Sequence, residues 1–263
     1  MRALSIASTG MLAQQTNVEV IANNLANMNT TAFKEQRAEF TDLLYQNIQT
    51  PGAQTSDQGT YAPNGIQLGA GVRTAAVYRI TTQGDLKSTG NPYDVAIQGA
   101  GFFRVQQADG TDAYTRSGNF SLSPQGQLVT QDGLVIQPGI AIPANTVSVA
   151  INAQGQVNAT LAGNAAAPQT VGQLELTRFP NEAGLNAIGN NLFLETPGSG
   201  SPQAGVPGSI GYGTIQQNYL ETSNVNSVDE ITALITAQRA YEMNSKVISA
   251  ADQMMQNTAR LGG

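Results

Sequence analysis

The chain has 263 residues, a formal net charge of −6, and no His, Cys or Trp. Without Cys it has no disulfide, thiolate zinc site or cysteine nucleophile, and without His it lacks the commonest general base and metal ligand. Charged residues make up 11% of the chain, against about 25% in average domains. This composition argues against most enzymes and against a nucleic-acid binder, which needs a basic face. It permits dense packing with neighbouring molecules, because weakly charged surfaces repel one another little.

The first 34 residues predict a long amphipathic helix. Spacings of three and four residues place one apolar stripe along about four heptads, made up of Leu4, Ala7, Met11, Val18, Ile21, Leu25 and Met28, with the polar Gln14 among them. We expect a helix of roughly 30 residues. Its apolar run is interrupted too often for a cleaved secretory signal. The sequence has no stretch of about 18 apolar residues, so we expect no membrane insertion.

The C-terminal end predicts a second long helix, from Ser227 to Leu261. Ser227 and Glu230 have the spacing of a capping box, in which the Ser hydroxyl accepts the Glu N–H. Apolar residues recur at helical spacing with no Pro or Gly until Gly262. We expect roughly 35 helical residues. Two such helices can pair as an antiparallel or coiled-coil-like unit, and their remaining apolar faces indicate self-assembly, because a pair alone leaves them exposed.

The middle of the chain has short β-type runs bounded by turn residues, which predicts an all-β domain over 93–205. The predicted strands are 94–97, 101–105, 113–116, 120–122, 127–130, 134–136, 140–142, 147–151, 157–160, 174–179 and 191–195. The sequence Gly99-Ala100-Gly101 beside Phe102-Phe103 predicts a close backbone approach next to buried aromatic rings.

Two uncharged or nearly uncharged segments join the middle to the ends. Gln46–Gly71 carries a single charge, Asp57, and Thr196–Gln217 carries none. They are consistent with flexible linkers, or with one connecting layer if the helices pair. We therefore predict an α+β fold with three parts: a terminal helical assembly domain (1–34 plus 222–263), an extended connecting domain (35–92 plus 206–221) and a β-rich outer domain (93–205).

Motifs that carry catalytic or ligand chemistry are absent from the sequence. The lysines lack the glycines of a phosphate loop, and the Gly-x-Gly pairs lack the third glycine of a dinucleotide fingerprint. A Ser-His-Asp triad is impossible without His. We predict no enzyme activity, no cofactor, and no catalytic or metal-binding residues.

Both ends of the chain resemble the bacterial flagellar rod and hook axial proteins. The segment 22–34 reads Ala-Asn-Asn-Leu-Ala-Asn-Met-Asn-Thr-Thr-Ala-Phe-Lys and is similar to the family's N-terminal signature. Residues 221–226, with Glu230 and 238–242, are similar to its C-terminal signature. The middle, with 93–99 and 113–116, also resembles the family, and 45–54 with the chain length is most similar to distal rod members.

The resemblance implies a structural subunit of the distal rod, a rigid helical tube that transmits motor torque across the cell envelope and serves as an export channel. Its implied partners are other copies of the chain, other rod proteins, the hook, surrounding rings and the flagellar type III export apparatus, without nucleic acid or membrane insertion. It implies a place in the flagellar basal body, in the periplasm and cell envelope, after export without a cleaved signal peptide.

The resemblance also singles out residues. The family motif falls on Asn23, Asn24, Asn27, Thr31, Phe33 and Lys34, and a rod-stiffening segment on Tyr45, Gln46, Pro51, Gly52 and Gln54. We expect the assembly interface to use Leu4, Met11, Val18, Ile21, Leu25, Ile231, Ile235, Tyr241, Ile248 and Met255. One departure is Ala32, where the family usually has Gly: either the helix ends differently here, or the position does not need the positive φ that Gly allows.

Two other functions remain open on the sequence. A hook or proximal rod protein shares both signatures, and the segment Tyr45–Gly71, which stiffens a straight tube in the distal rod interpretation, separates them. A secreted β-rich adhesin has the same neutral surface, but it needs no long capped C-terminal helix.

Overall fold

A computed structural model of the protein describes residues 2–52, 64–162 and 168–261. Over these residues the chain forms two long α-helices, twenty strands and one short 3-10 turn. It divides into two units, each built from separate stretches of sequence. The helical unit takes Met1–Ala26, Gln36–Arg79 and Asn226–Gly263, and the β unit takes Asn27–Glu35 and Ile80–Val225.

Both predicted terminal helices are present. Helix α1 spans Arg2–Ala26, and helix α2 spans Ser227–Leu261. Helix α2 has the predicted length of 35 residues, whereas α1, with 25 residues, ends before Met28. The apolar stripe of α1 therefore continues two residues beyond the helix itself, since periodicity alone does not mark where a helix ends.

The two helices run in opposite directions, and two contacts between them show this. Near the start of α1, a Cβ on Gly10 would lie 2.9 Å from Asn244 Nδ2, so a larger residue at Gly10 would have to displace that side chain. Near the end of α1, Asn24 hydrogen-bonds Glu230. Higher numbers on α1 thus meet lower numbers on α2, which defines an antiparallel pair.

Four strands complete the helical unit: β1 Gln36–Asp42, β2 Tyr45–Gln49, β3 Ile66–Gly69 and β4 Val72–Arg79. They form two antiparallel ladders, β1 with β4 and β2 with β3. The ladders are continuous, because Leu43 donates to the Gly71 carbonyl at 2.8 Å and Ala70 donates to the Leu44 carbonyl at 3.2 Å. The segment predicted as an extended connection is therefore a strand-paired arm in its described residues.

The β unit holds the remaining strands, most of them short. In chain order they are β5 Leu86–Ser88, β6 Val95–Gln98, β7 Phe103–Gln106, β8 Asp112–Thr115, β9 Ser121–Leu122, β10 Leu128–Val129, β11 Val135–Ile136, β12 Thr146–Ile151, β13 Gln156–Leu161, β14 Gln169–Gln173, β15 Leu176–Arg178, β16 Asn186–Gly189, β17 Leu192–Leu194, β18 Gln203–Gly205, β19 Thr214–Gln217 and β20 Tyr219–Glu221. The short 3-10 turn is Glu182–Gly184.

The largest sheet of the β unit is antiparallel and has the order β16-β17-β8-β7-β11-β10-β9 over the described residues. A three-stranded sheet, β12-β13-β14, and the pairs β15–β18, β19–β6 and β20–β5 lie around it. Ten of the eleven predicted strands coincide with observed strands to within about two residues, whereas 140–142 contributes a single bridge, Gln127 to Ala141. The prediction of helical ends around a mostly β middle is confirmed.

Phe103 is the first residue of β7, and Phe102 before it forms a bridge to Thr177. The two rings pack into different clusters. Phe103 is fully buried in the main core and meets Phe120 edge to face at 5.1 Å between ring centroids. Phe102 joins a separate hydrophobic cluster with the aromatic residues Tyr114, Phe179 and Phe193 and with Leu185. The predicted close approach is also present, because a Cβ on Gly99 would lie 2.9 Å from the Gly213 Cα.

The three-part division into terminal helical, extended connecting and β-rich outer domains stays a prediction. In the structure, residues 27–34 of the predicted helical part and 80–92 of the predicted connecting part lie in the β unit. The strands β1 and β4 of the connecting part lie in the helical unit.

Candidate functional site

The family motif at the end of α1 is built around Asn24, which is 1% exposed. Its side-chain oxygen accepts the Gln36 N–H at 2.9 Å, and its side-chain nitrogen donates to the Gln36 carbonyl at 2.8 Å. The same nitrogen donates to Glu230 Oε1 at 2.9 Å. One amide therefore ties together α1, the start of β1 and the first turn of α2, and we call these three residues the Asn24 clip.

The residues after α1 form a turn in the β unit that contains the departure from the family motif. Ala32 has φ 56°, in the left-handed region, and is 2% exposed. Its N–H donates to the Glu221 carbonyl at 2.8 Å. The position therefore does adopt the conformation that Gly would allow, and Ala occupies it despite a cost of about 1–2 kcal/mol for an L-residue.

Lys34, the last residue of the motif, lies in a buried charge cluster with Glu221 and Arg116. Lys34 Nζ lies 2.5 Å from Glu221 Oε1, and Arg116 Nε lies 2.7 Å from Oε2. The three side chains are 6%, 0% and 5% exposed, in the order Lys34, Glu221, Arg116. We call this set the Glu221 cluster; it joins the motif segment, β20 and the residue that follows β8.

The Glu221 cluster has two cations and one carboxylate, and backbone groups satisfy the remainder. Arg116 also donates to the carbonyls of Gly99 at 2.6 Å and Gly101 at 3.1 Å, and Lys34 donates to the Thr82 carbonyl at 2.8 Å. Burial lowers the pKa of the Lys34 ammonium, while the nearby Glu221 carboxylate opposes that shift. Desolvation penalises the charged form of a buried amine. The hydrogen bonds to Glu221 and to the Thr82 carbonyl stabilise the charged form of Lys34 against this penalty.

The other motif residues occupy less buried positions. Asn23 is exposed, and Phe33 is half-buried. Asn27 accepts a hydrogen bond from the Thr30 hydroxyl at 3.1 Å, and the Thr31 carbonyl accepts one from the Asn191 side chain at 2.9 Å. The structure thus brings Lys34 into a charge cluster and Asn24 into a backbone clip, while the rest of the motif shapes the turn between them.

The start of α2 differs from the predicted capping box. The N-cap is Asn226, because its side-chain oxygen accepts the Val228 N–H at 3.1 Å. The Glu230 N–H donates to the Asn226 carbonyl at 3.1 Å, not to a Ser227 hydroxyl. The Glu230 carboxylate accepts from Asn24. The predicted cap was therefore wrong by one residue, because Ser and Asn are comparable N-caps and both stand at the start of this helix.

The residues predicted for assembly differ in exposure between the helices. On α1, Ile21 is buried, and Leu4, Met11, Val18 and Leu25 are half-buried. On α2, Ile248 is half-buried, and four residues are between 36% and 47% exposed: Ile231, Ile235, Tyr241 and Met255. The inward face of α2 instead buries the small residues Ala237 and Ala251.

Four of the five residues predicted to stiffen the rod lie in β2 or in the turn that follows it. Tyr45 and Gln46 are the first residues of β2 and pair with Gly69 and Leu68. Pro51 and Gly52 lie in a turn after β2. Gln54 lies outside the described residues. The β2–β3 hairpin exposes several apolar side chains: Leu44, Tyr45, Ile48, Ile66 and Leu68.

Two residues of the Glu221 cluster, Arg116 and Glu221 itself, are missing from the predicted site. Both occur in the family-like segments, but as single charges they carry no pairing information. The available signal was the scarcity of charge: a carboxylate and an arginine among mostly neutral strands. In such surroundings charged side chains are buried only when paired.

Comparison with known proteins identifies the family. Three family models match: "Flagella basal body rod protein" over residues 4–34, "Flagellar hook protein FlgE/F/G D1 domain" over 96–159 and "Flagellar basal body rod FlgEFG protein C-terminal" over 216–261. The flagellar basal-body rod protein FlgG of Caulobacter vibrioides is 57% identical, covering 99% of both chains. The chain belongs to the FlgG family of flagellar basal-body rod proteins.

Other relatives agree over similar lengths. FlgG of Agrobacterium fabrum is 54% identical over 97% of both chains, and FlgG of Bacillus subtilis is 39% identical over 99% of both chains. The solved flagellar hook protein FlgE2 of Helicobacter pylori is 16% identical with a TM-score of 0.25, covering 72% of this chain and 43% of that one. That similarity is too low to support conclusions about this fold.

Family membership confirms three sequence predictions. The chain is a flagellar axial protein of the distal rod type, it is a structural rod subunit, and it belongs in the flagellar basal body within the cell envelope. Among the described residues, neither helix is long and apolar enough to cross a membrane. The relatives are structural rod proteins.

Proposed function

We propose that copies of this chain assemble through their terminal helices into a rigid helical tube that transmits motor torque and leaves a channel for export. In this proposal α1 and α2 pair in a coiled-coil-like manner, and their outward apolar faces are covered by other copies. The chain has no catalytic role. Its further partners are other rod proteins, the hook, the surrounding rings and the type III export apparatus.

The observation that carries the proposal is an apolar stripe on the outer side of the first two turns of α2. Val228, Ile231 and Ile235 lie three and four residues apart, which places them on one helix face. They are 68%, 47% and 46% exposed in the single chain. Contiguous exposed apolar faces of this kind mark contact sites, and in a rod subunit the abundant neighbour is another copy.

The membership of the FlgG family supports a distal rod subunit over the other flagellar alternative. The chain is 57% identical to FlgG of Caulobacter vibrioides and 35% identical to FlgF of the same organism. The adhesin alternative has no comparable support, because similarity to rod proteins covers nearly the whole chain.

Ile231→Asp tests the proposal. Because Ile231 is exposed, the substitution should leave the monomer folded by circular dichroism, while burying a carboxylate between copies should abolish polymerisation. Thr236→Asp is the matched control, since it adds the same charge to an exposed position of α2 away from the stripe. We expect polymer by sedimentation and electron microscopy for Thr236→Asp and none for Ile231→Asp. Polymer of normal length from Ile231→Asp would refute assembly through this face.

A further inference from the structure

The β unit contains a polar cavity of about 370 Å³ that the rod function does not use. Four segments line it: the turn after α1, residues 115–119 at and after the end of β8, the β10–β11 turn and the β16–β17 turn. Its wall is almost entirely hydroxyl and amide side chains, with Leu192 as the apolar exception and Asp132 as the carboxylate. Among the lining residues no Lys or Arg is present, so phosphate and sulfate groups find no counter-charge there.

Part of the wall is held by hydrogen bonds within the protein. The Thr115 hydroxyl donates to the Asn191 carbonyl at 2.8 Å, and the Asn191 side chain donates to the Thr31 carbonyl at 2.9 Å. The Ser117 hydroxyl donates to Asn119 Oδ1 at 2.6 Å. The first two of these bonds connect the turn after α1, the end of β8 and the β16–β17 turn to one another, so this part of the wall is preformed.

Other polar groups at the cavity are left for a ligand. Within residues 2–52, 64–162 and 168–261, the side chains of Thr31, Gln131, Asp132 and Asn190 make no hydrogen bond. Asn190 and Asn191 have φ values of 52° and 57°, as a tight hairpin turn requires. The turn holds Asn190 at the cavity rim without help from its side chain, so its amide remains available to donate and accept.

We propose that this cavity binds a neutral saccharide bearing hydroxyl and acetamido groups. Neighbouring sugar hydroxyls both donate and accept, which matches the mixed set of amides and hydroxyls, and an acetamido group pairs with an Asn or Gln amide in both directions. Asp132 accepts from sugar hydroxyls and repels anionic sugars. The lining has no aromatic ring for stacking, so the affinity is modest. This site goes beyond assembly of the rod.

The proposal is tested by titrating the isotope-labelled full chain with triacetylchitotriose and following backbone amide resonances. We expect saturable shifts confined to the four lining segments. Asp132→Ala and Asn190→Ala should each weaken binding about tenfold, the effect of losing one good hydrogen bond to a ligand. Asp109→Ala is the matched control, because Asp109 lies in the exposed β7–β8 turn away from the cavity.

Four results would overturn the assignment. Asp109→Ala weakening binding as much as Asp132→Ala would mean that the cavity is not the site. Glucuronic acid binding as well as the neutral sugar would contradict the role of Asp132. Shifts of the same resonances on raising protein concentration without sugar would mean that a polar loop of a second copy occupies the cavity. Failure of the sugar to bind at all would likewise overturn the saccharide assignment, but it would leave the assembly proposal unaffected, since Ile231 lies in the helical unit.

Discussion

Glu221 is the residue on which the charge balance of the β unit depends. Its two carboxylate oxygens face opposite cations, Lys34 on one and Arg116 on the other, and Oε1 also accepts the Gly84 N–H at 3.0 Å. A buried pair gives little net stability over an apolar replacement, but removing one partner leaves a buried charge unbalanced. Removing the single anion should therefore destabilise the protein more than removing one of the two cations.

Glu221→Gln should destabilise the protein far more than Lys34→Met. The first leaves two buried cations without a counter-charge, and we expect a loss of about 3–5 kcal/mol. The second leaves Glu221 paired with Arg116, and the Thr82 carbonyl still accepts from Asn224 at 3.1 Å, so we expect less than about 2 kcal/mol. Urea unfolding gives the free energies, and hydrogen exchange of the β20 amides localises the effect. Equal losses would contradict the charge balance described here.

The lowered pKa of Lys34 predicts a dependence of stability on alkaline pH. The folded chain binds the Lys34 proton less tightly than the unfolded chain, whose lysine has the ordinary pKa of 10.5. Between those two pKa values the unfolded state carries more protons, so the contribution of Lys34 to stability rises with pH. Lys34→Met lacks this group. The stability of the natural chain relative to Lys34→Met should increase as pH approaches 10.5, and a decrease would contradict the direction of the shift.

At the scale of elements, the Asn24 clip decides how α1, β1 and α2 meet. An asparagine serves here because its amide both accepts the Gln36 N–H and donates to two oxygens, the Gln36 carbonyl and the Glu230 carboxylate. Aspartate has the same shape but no donor, and at neutral pH it would place a second carboxylate beside Glu230.

Asn24→Asp should therefore be more harmful than Asn24→Ala. Alanine leaves buried polar groups without hydrogen-bond partners, and each such group costs about 1–3 kcal/mol of stability. Aspartate adds repulsion between two carboxylates, and this excess should shrink at acidic pH, as protonation restores a donor. Thermal unfolding of both variants at neutral and acidic pH measures the difference. If alanine is the worse variant at neutral pH, the donor role of Asn24 is wrong.

The regular elements were largely predictable, because their signals are local. The 35-residue α2 and most strands of the β unit follow from periodicity and turn residues. The strands β1 and β4 were missed, since neither contains a fully buried residue and their pairing spans some thirty intervening residues. The strand Gln36–Asp42 also carries several charges, which the pattern assigns to loops.

The candidate site was predictable only as a segment. The family motif pointed to Asn24 and Lys34, but their partners Gln36, Glu230, Glu221 and Arg116 come from distant parts of the chain. The left-handed conformation of Ala32 was likewise an open question, because Ala disfavours it and only the bond from its N–H to the Glu221 carbonyl shows what holds the turn. Such non-local contacts leave no periodic trace in the sequence.

For the whole molecule, the low charge noted in the composition suits a subunit that packs closely against its own copies. With 11% charged residues, copies of the chain repel one another only weakly. The β2–β3 hairpin is the described part of the helical unit that exposes the densest group of apolar residues. In a tube, such a hairpin is suited to lie against an adjacent subunit and restrict bending.

Removing the hairpin should change the mechanics of the polymer without unfolding the chain. Leu43 and Leu44 on one side hydrogen-bond Gly71 and Ala70 on the other, so the ends left by deleting 45–69 already lie side by side and can be joined by a Gly-Ser turn. The β1–β4 ladder and the two helices stay intact. We expect the same unfolding midpoint for the β unit and normal polymerisation, but curved filaments in electron micrographs.

The polymer of the intact chain is the reference for this measurement, with persistence length as the quantity compared. A shorter persistence length after deletion, at unchanged subunit fold, would assign stiffness to contacts made by the hairpin between copies. Straight filaments of the same persistence length would contradict a stiffening role and leave the helices as the source of rigidity. Complete loss of polymer would instead place the hairpin in the assembly interface itself, together with the apolar stripe of α2 for which we propose that role.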